Sequence, residues 1–264
     1  MQSKCSDILA ELESWYARDT VHYLLDMEHD AAHEMLATSF GYHILQLGMA
    51  GARPLSQSSP ISHRIYCAER EADGVDLVAP VDELPLESDS VDTVIVHHCL
   101  EFAQRPHQVL REAQRVLTPQ GELLVIGYNP YSLYGGYTRL RGLFRHPLWQ
   151  HHRPVGENRL KDWLHLLGCE VMETRYLYNV PPAGSGRLRR WLTQADTWAA
   201  RHNLPGGGVY MVHATKQVVG LTGQRRLRKG RRLIGLVPNP APAPNAVGPV
   251  SKGYNRLKKG DVAA

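Results

Sequence analysis

Between Val91 and Tyr128 the chain reads as a strand, a helix and a strand joined by short polar segments. Val91-Asp92-Thr93-Val94-Ile95-Val96 is rich in β-branched residues, and Gly121 to Tyr128 is a second apolar run. Between them, Pro106 to Leu117 places Val109, Leu110, Ala113, Val116 and Leu117 on one helical face. A unit of this kind closes as a right-handed parallel crossover. It places the chain among folds with a parallel sheet.

The flanking segments extend the same alternation. Upstream, Ile8, Leu9, Leu12, Trp15 and Tyr16, then Val21, Leu24, Leu25 and Met27, recur at helical spacing with a break at Asp19-Thr20, which predicts two N-terminal helices. His43 to Gly48, Arg64 to Cys67 and Val75 to Val78 read as short strands. Downstream come a long loop with Pro130, Gly135, Gly136 and Pro147, a helix from Glu157 to Leu167 stopped by Gly168, and a strand from Val171 to Tyr178. A helix from Leu188 to His202 and a strand from Val209 to Gln217 complete the pattern, which is that of a mainly parallel α/β sheet.

Charge divides the chain at Gln217. Residues 218–264 hold ten Lys/Arg and one acid, Asp261, a net +9, while residues 1–217 carry a net −5, and the two add to the formal +4 of the whole. The C-terminal stretch also holds Pro238, Pro240, Pro242 and Pro244, a composition that favours extended, weakly ordered chain. Two parts are therefore expected: a folded domain over 1–217, with residues 1–40 as a helical cap, and a flexible basic tail over 218–264. The cluster Arg225, Arg226, Arg228, Lys229, Arg231, Arg232 could bind RNA, DNA or an anionic membrane surface through phosphates, or could only solvate the terminus, since no aromatic is interleaved to stack on bases. No run approaches the roughly 20 apolar residues of a membrane span, and the first residues carry acids where a signal peptide has its apolar core. The expected location is cytoplasmic. The four cysteines, Cys5, Cys67, Cys99 and Cys169, form no CxxC pair and read as reduced.

The run Asp82-Glu83-Leu84-Pro85-Leu86, then Ser90-Val91-Asp92-Thr93-Val94, then Val109 to Leu123 with Leu110-Arg111-Glu112, Arg115-Val116-Leu117 and Pro119-Gln120-Gly121, resembles the class I S-adenosylmethionine-dependent methyltransferases, and within them the type 11 methyltransferase domain. The resemblance implies a doubly wound, Rossmann-like sheet and S-adenosylmethionine as cofactor. Each matched piece also has a fold role: Pro119 and Gly121 end the helix and turn the chain, and Arg111, Glu112 and Arg115 stand at ion-pairing spacing on an exposed face.

In an open parallel sheet the ligand crevice lies beyond the carboxyl ends of the strands. The loop there is Gly48-Met49-Ala50-Gly51-Ala52. The family pattern is acid, apolar, then glycine at alternate positions; this chain keeps Gly48, has Ala50 and Ala52, adds Gly51, and carries Gln46 at the acid position. The resemblance therefore assigns Gln46, Gly48, Ala50 and Gly51 to the cofactor loop, Glu69 to the ribose hydroxyls, and Asp82 with Leu84 to the adenine side. Only Arg70 to Gly74 separate Glu69 from the next strand, so either the usual helix is missing or the second strand starts elsewhere. His97, in His97-His98-Cys99-Leu100-Glu101-Phe102, is a candidate wall or base beside the methyl donor. Asn129 and Tyr131 are candidate contacts for the methyl acceptor, and the aromatic-rich stretch 130–154 is a candidate lid. No metal site is expected, because adjacent histidines on extended chain point to opposite faces.

The function implied is methyl transfer from S-adenosylmethionine to a small-molecule or macromolecular acceptor. The departures at Gln46, Ala50, Ala52 and after Glu69 leave a second reading open: a methyltransferase fold with a degenerate cofactor loop, acting as a non-catalytic binding or regulatory module associated with nucleic acid through its tail.

Overall fold

The computed structural model describes residues 19–48, 54–143, 152–179 and 186–217. The first expected helix, residues 49–53 with the cofactor-loop candidates Ala50 and Gly51, the stretches 144–151 and 180–185 and the basic tail lie outside them. The elements are α1 (Asp19–Leu36), β1 (His43–Leu47), a 3₁₀ turn (Leu55–Ser58), β2 (His63–Ala68), β3 (Leu77–Val78), β4 (Val91–His97), α2 (Pro106–Val116), β5 (Leu117–Tyr128), α3 (Leu133–Leu143), α4 (Glu157–Leu166), β6 (Cys169–Leu177), α5 (Gly186–Arg201) and β7 (Val209–Lys216). The strands form one sheet in the order β3-β2-β1-β4-β5-β7-β6. Parallel pairing runs from β3 through β5, and β7 is antiparallel to both β5 and β6. The mainly parallel, doubly wound sheet is the one expected.

Period-two alternation splits the core between the sheet's two faces. Ile44, Ile95, Leu124, Ile126 and Met211 pack against Leu24, Ala31, Ala32, Met35 and Leu36 of α1. Leu45, Leu47, Val94, Val96, Leu123 and Val125 pack on the other face with Val109, Leu110, Ala113 and Val116 of α2 and Leu160 and Leu164 of α4. No described helix is long and apolar enough to cross a membrane. Cys67 and Cys169 are buried, Cys99 is half-buried, and all three are free thiols.

The connections hold the departures. The second strand lies where the sequence placed it, and the helix between β2 and β3 is missing. In its place Asp76 returns the chain at once: its carboxylate accepts from the Tyr66 amide at 2.8 Å and its own amide donates to the Tyr66 carbonyl at 2.9 Å. Gly74, at φ +82°, makes the reversal possible. The crossover helix α2 stops at Val116, because Leu117 already pairs with Val91 as the first residue of β5. The positive φ after Pro119 falls on Gln120 (65°), not on Gly121. Gly121 is needed for a different reason: a Cβ there would come within 2.8 Å of the Asp92 and Thr118 carbonyl oxygens.

The expected long loop after β5 contains a helix, α3. Ser132 starts it, accepting from the Gly135 amide at 2.9 Å while its hydroxyl donates to the Asn129 carbonyl at 2.8 Å. Two adjacent glycines lower helix propensity, which hid this element from the pattern. Gly168 ends α4 at φ +77°, as predicted.

Candidate functional site

Strand order reverses between β1 and β4, and the crevice of a doubly wound sheet opens at the carboxyl ends of those strands. Gly48, Glu69, the Asp82–Leu84 segment and His97 all follow or end the strands on this side. A separate cleft of about 570 Å³, lined in part by Asp30, Glu34, Glu173 and Arg175, lies across β6 at the far edge of the sheet.

Beneath the crevice is a polar cluster that is closed to solvent. Thr93, Ile95 and His97 alternate toward the α1 face, so the His97 ring is directed at the helix. On α1 the buried residues Leu24, Ala31, Ala32 and Met35 make an apolar stripe, and Glu28 occupies its middle at 0% exposure. His97 Nε2 stands 3.0 Å from one oxygen of Glu28, and His98 Nε2 stands 3.0 Å from the other. The expectation that the two rings face apart fails for one reason. His98 has φ +50°, which turns the chain after its amide donates to the Ile126 carbonyl and swings the ring back beside its neighbour. The ring centroids are 4.8 Å apart.

Glu101 supports His98 from behind. One of its oxygens lies 3.4 Å from His98 Nδ1 and accepts from the Tyr128 amide at 2.6 Å. The Tyr128 ring stacks on His98 at 4.1 Å between centroids, and His152 meets the same ring edge-on at 5.4 Å. Burial pushes the Glu28 carboxyl up, but the two imidazoles override it and hold it at about 2. Burial likewise pushes His98 down, and Glu28 and Glu101 override it, holding it at about 9. For His97 burial wins and its basicity falls; burial also takes His152 down to about 4.

The acceptor-side candidates separate. Asn129 is buried and spent on the fold: its amide donates to the Gly207 carbonyl and its oxygen accepts from the Tyr131 amide, each at 3.0 Å. Tyr131 is 82% exposed. Tyr134, from the expected lid, is a core residue packed edge-on against Tyr178.

Residues 53–125 match the Methyltransf_11 family, a methyltransferase domain. The protein YafS of Escherichia coli (strain K12), which is uncharacterized, is 31% identical over 185 residues, 69% of this chain and 72% of that protein. The chain belongs to the class I S-adenosylmethionine-dependent methyltransferases. Solved structures agree on the fold. A methyltransferase from Thermotoga maritima, described as a possible histamine N-methyltransferase, superposes with a TM-score of 0.58 at 20% identity over 82% of this chain and 100% of that one. A methyltransferase from Archaeoglobus fulgidus gives 0.51 at 17% identity over 73% and 94%.

S-adenosylmethionine is the cofactor of this family, and the methyltransferase crevice can be tested for fit to it. Glu69 is exposed directly after β2 and makes no hydrogen bond or ion pair among the described residues, so its carboxylate is open to hydroxyl donors. Gly48 closes β1, its amide donating to the Cys67 carbonyl at 3.1 Å; a Cβ there would meet the Tyr66 ring at 3.0 Å. Asp82 gives one oxygen to Arg105, at 2.8 and 3.1 Å, and keeps the other. Leu84 is buried, its amide held by Glu112 at 3.1 Å and its carbonyl by Arg115 at 3.0 Å. Gln46 is also buried, and its side-chain oxygen accepts from the Ser56 amide at 3.0 Å. Glu69, the second Asp82 oxygen and the bare end of β1 at Gly48 are groups such a cofactor could meet, while Gln46 gives its oxygen to Ser56 and has a buried Nε2 with no hydrogen-bond partner among the described residues.

Glu28 and Glu101 escaped the sequence reading. Glu28 left a signal, a carboxylate at i+4 from Leu24 and i−4 from Ala32 in an apolar stripe. Glu101 left none beyond its closeness to His98.

Proposed function

We propose that this protein transfers a methyl group from S-adenosylmethionine to an oxygen, nitrogen or carbon nucleophile. When bound, the cofactor supplies an electrophilic methyl group on a sulfonium and a neutral thioether as leaving group. In this reading Glu69 accepts from the two ribose hydroxyls and Gly48 keeps the end of β1 free of side chain. The Asp82–Leu84 segment presents its free carboxylate oxygen and a clamped backbone to the adenine side. The chain's share of the reaction is positioning and exclusion of water, so the absence of a nucleophile–base pair among the described crevice residues is no obstacle. His97 serves as floor and wall, since its Nε2 is turned to Glu28. Tyr131 stands at the rim, where an acceptor would enter.

The observation that carries the reading is Glu69: an exposed, uncommitted carboxylate beside a glycine-ended first strand, at the reversal of strand order. Calorimetric titration of the full chain with S-adenosylmethionine and with S-adenosylhomocysteine tests it. Binding is expected, with a Kd raised roughly tenfold or more by Glu69→Ala, the loss of two hydrogen bonds to a charged acceptor. The melting temperature should not move. Gly48→Val is a poor probe, because it would strike Tyr66 before any ligand. No heat at millimolar ligand would transfer the protein to the second reading, a non-catalytic binding module, which the engagement of Gln46 with Ser56 favours.

A further inference from the structure

We propose that Glu28, His97 and His98 form a site for a divalent first-row transition-metal ion, with Glu101 orienting His98 from outside the coordination sphere. The proposal does not depend on methyl transfer. One ligand atom from each of the three residues can be chosen so that all lie within 4.8 Å of one another, and all three side chains are fully buried.

The two carboxylate–imidazole separations match those between neighbouring ligands of one ion. Two ligands each about 2.1 Å from one ion stand about 3.0 to 3.4 Å apart in octahedral or tetrahedral geometry. The two imidazole nitrogens stand 3.0 Å from the two oxygens of a single carboxylate. Two imidazoles and a carboxylate are a donor set that first-row divalent ions favour.

Proton counting points the same way. A neutral imidazole has one N–H, and a carboxylate has none. His98 has a carboxylate oxygen near each ring nitrogen, Glu28 at 3.0 Å and Glu101 at 3.4 Å. If Nδ1–H donates to Glu101, then Nε2 turns a lone pair on the Glu28 carboxylate, and a cation has to sit between them: a second proton or a metal ion. The Glu101–His98 pair has the form of an outer carboxylate that sets the tautomer of a metal-binding histidine. Glu101 is itself fixed by the Tyr128 amide, and its second oxygen is buried with no hydrogen-bond partner among the described residues. The positive φ of His98 is the local strain that brings both rings to one ion, at a cost of about 1–3 kcal/mol for a residue without glycine's freedom.

The test uses the full chain, stripped with a chelator, dialysed, and titrated with Co²⁺ alone, without S-adenosylmethionine. One equivalent should bind with a visible d–d absorption of nitrogen ligation, be displaced by Zn²⁺, and raise the melting temperature. Glu28→Gln should weaken Co²⁺ binding roughly tenfold or more. If that variant does not fold, the wild-type spectrum decides. The exposed His43 and His63, whose Nδ1 atoms are 2.8 Å apart, are the competing source of a histidine signal, and His63→Ala removes it. Binding and spectrum that survive His63→Ala support the buried site. Binding that disappears with His63→Ala, or no stoichiometric Co²⁺ or Zn²⁺ at all, overturns the proposal and leaves His98 as a doubly protonated bridge between two carboxylates. Cofactor titration of the same stripped protein tests methyl-donor binding separately, so either reading can fail alone.

Discussion

Glu28→Ala tests whether α1 is fastened to the sheet by charge as well as by apolar packing. Glu28 is fully buried and holds two buried imidazoles, so the deletion takes from His97 and His98 the carboxylate they share, while Glu101 stays beside His98. Removing one partner of a buried ion pair costs about 3–5 kcal/mol. At about 2–4 °C per kcal/mol for a domain of this size, the melting temperature of chelator-treated protein should fall by about 6–20 °C. The same helix supplies the control: Glu34 pairs with Arg175 at 2.5 Å but is 69% exposed, and Glu34→Ala should cost under about 1 kcal/mol. Urea unfolding of both variants at neutral pH with chelator present makes the comparison. The pH dependence sharpens it. Glu28, lowered from 4.5 to about 2, contributes stability that is present above pH 4.5 and lost as pH falls toward 2. His98, raised from 6.5 to about 9, contributes stability that is complete below 6.5 and lost as pH rises through 9. The difference in stability between wild type and Glu28→Ala should therefore be greatest between about pH 4.5 and 6.5 and shrink on both sides. If Glu28→Ala costs no more than Glu34→Ala, or the difference is flat with pH, the cluster does not hold the helix.

Two further outcomes follow from the same structure. Arg115→Ala should cost about 1–2 kcal/mol in urea unfolding, since Arg115 is partly exposed yet donates to the Leu84 and Leu86 carbonyls and to Glu112; it should also weaken S-adenosylmethionine in calorimetry, because it frees the Asp82–Leu84 segment. Truncation after Gln217 should leave the melting temperature nearly unchanged in scanning calorimetry, as a Pro-rich segment of net +9 has little apolar surface to bury; a loss of several degrees would show that it docks on the acidic domain.

Periodicity carried most of the fold because each major element has one dominant environment. Residues 94–96 of β4 and 123–126 of β5 are buried on both faces and read as continuous apolar runs, and α2 turns Val109, Leu110, Ala113 and Val116 to a single face. The pattern failed where a local contact replaced a periodic one. Asp76 takes over the return from β2 that a helix would have made, and Ser132 starts α3 in a segment whose glycines read as loop. Arg111, Glu112 and Arg115, read as an exposed ion-pair face, divide: Arg111 reaches Gln108, whereas Glu112 and Arg115 clamp the loop from Leu84 to Ser88.

The candidate site was less legible, for a reason that lies in the backbone. Alternation along β4 correctly sends His97 toward α1, and by the same rule it sends His98 the other way. One residue in the left-handed region cancels that rule, and nothing in the two-letter sequence His97-His98 announces it. The partner did announce itself. A carboxylate centred in an apolar helical stripe cannot remain charged and buried without donors, so Glu28 alone demands that something basic reach the α1 face of the sheet. With His97 already directed there by alternation, the pairing of Glu28 with His97 is deducible from the sequence, while the recruitment of His98, and with it Glu101, follows only from the turn that ends β4.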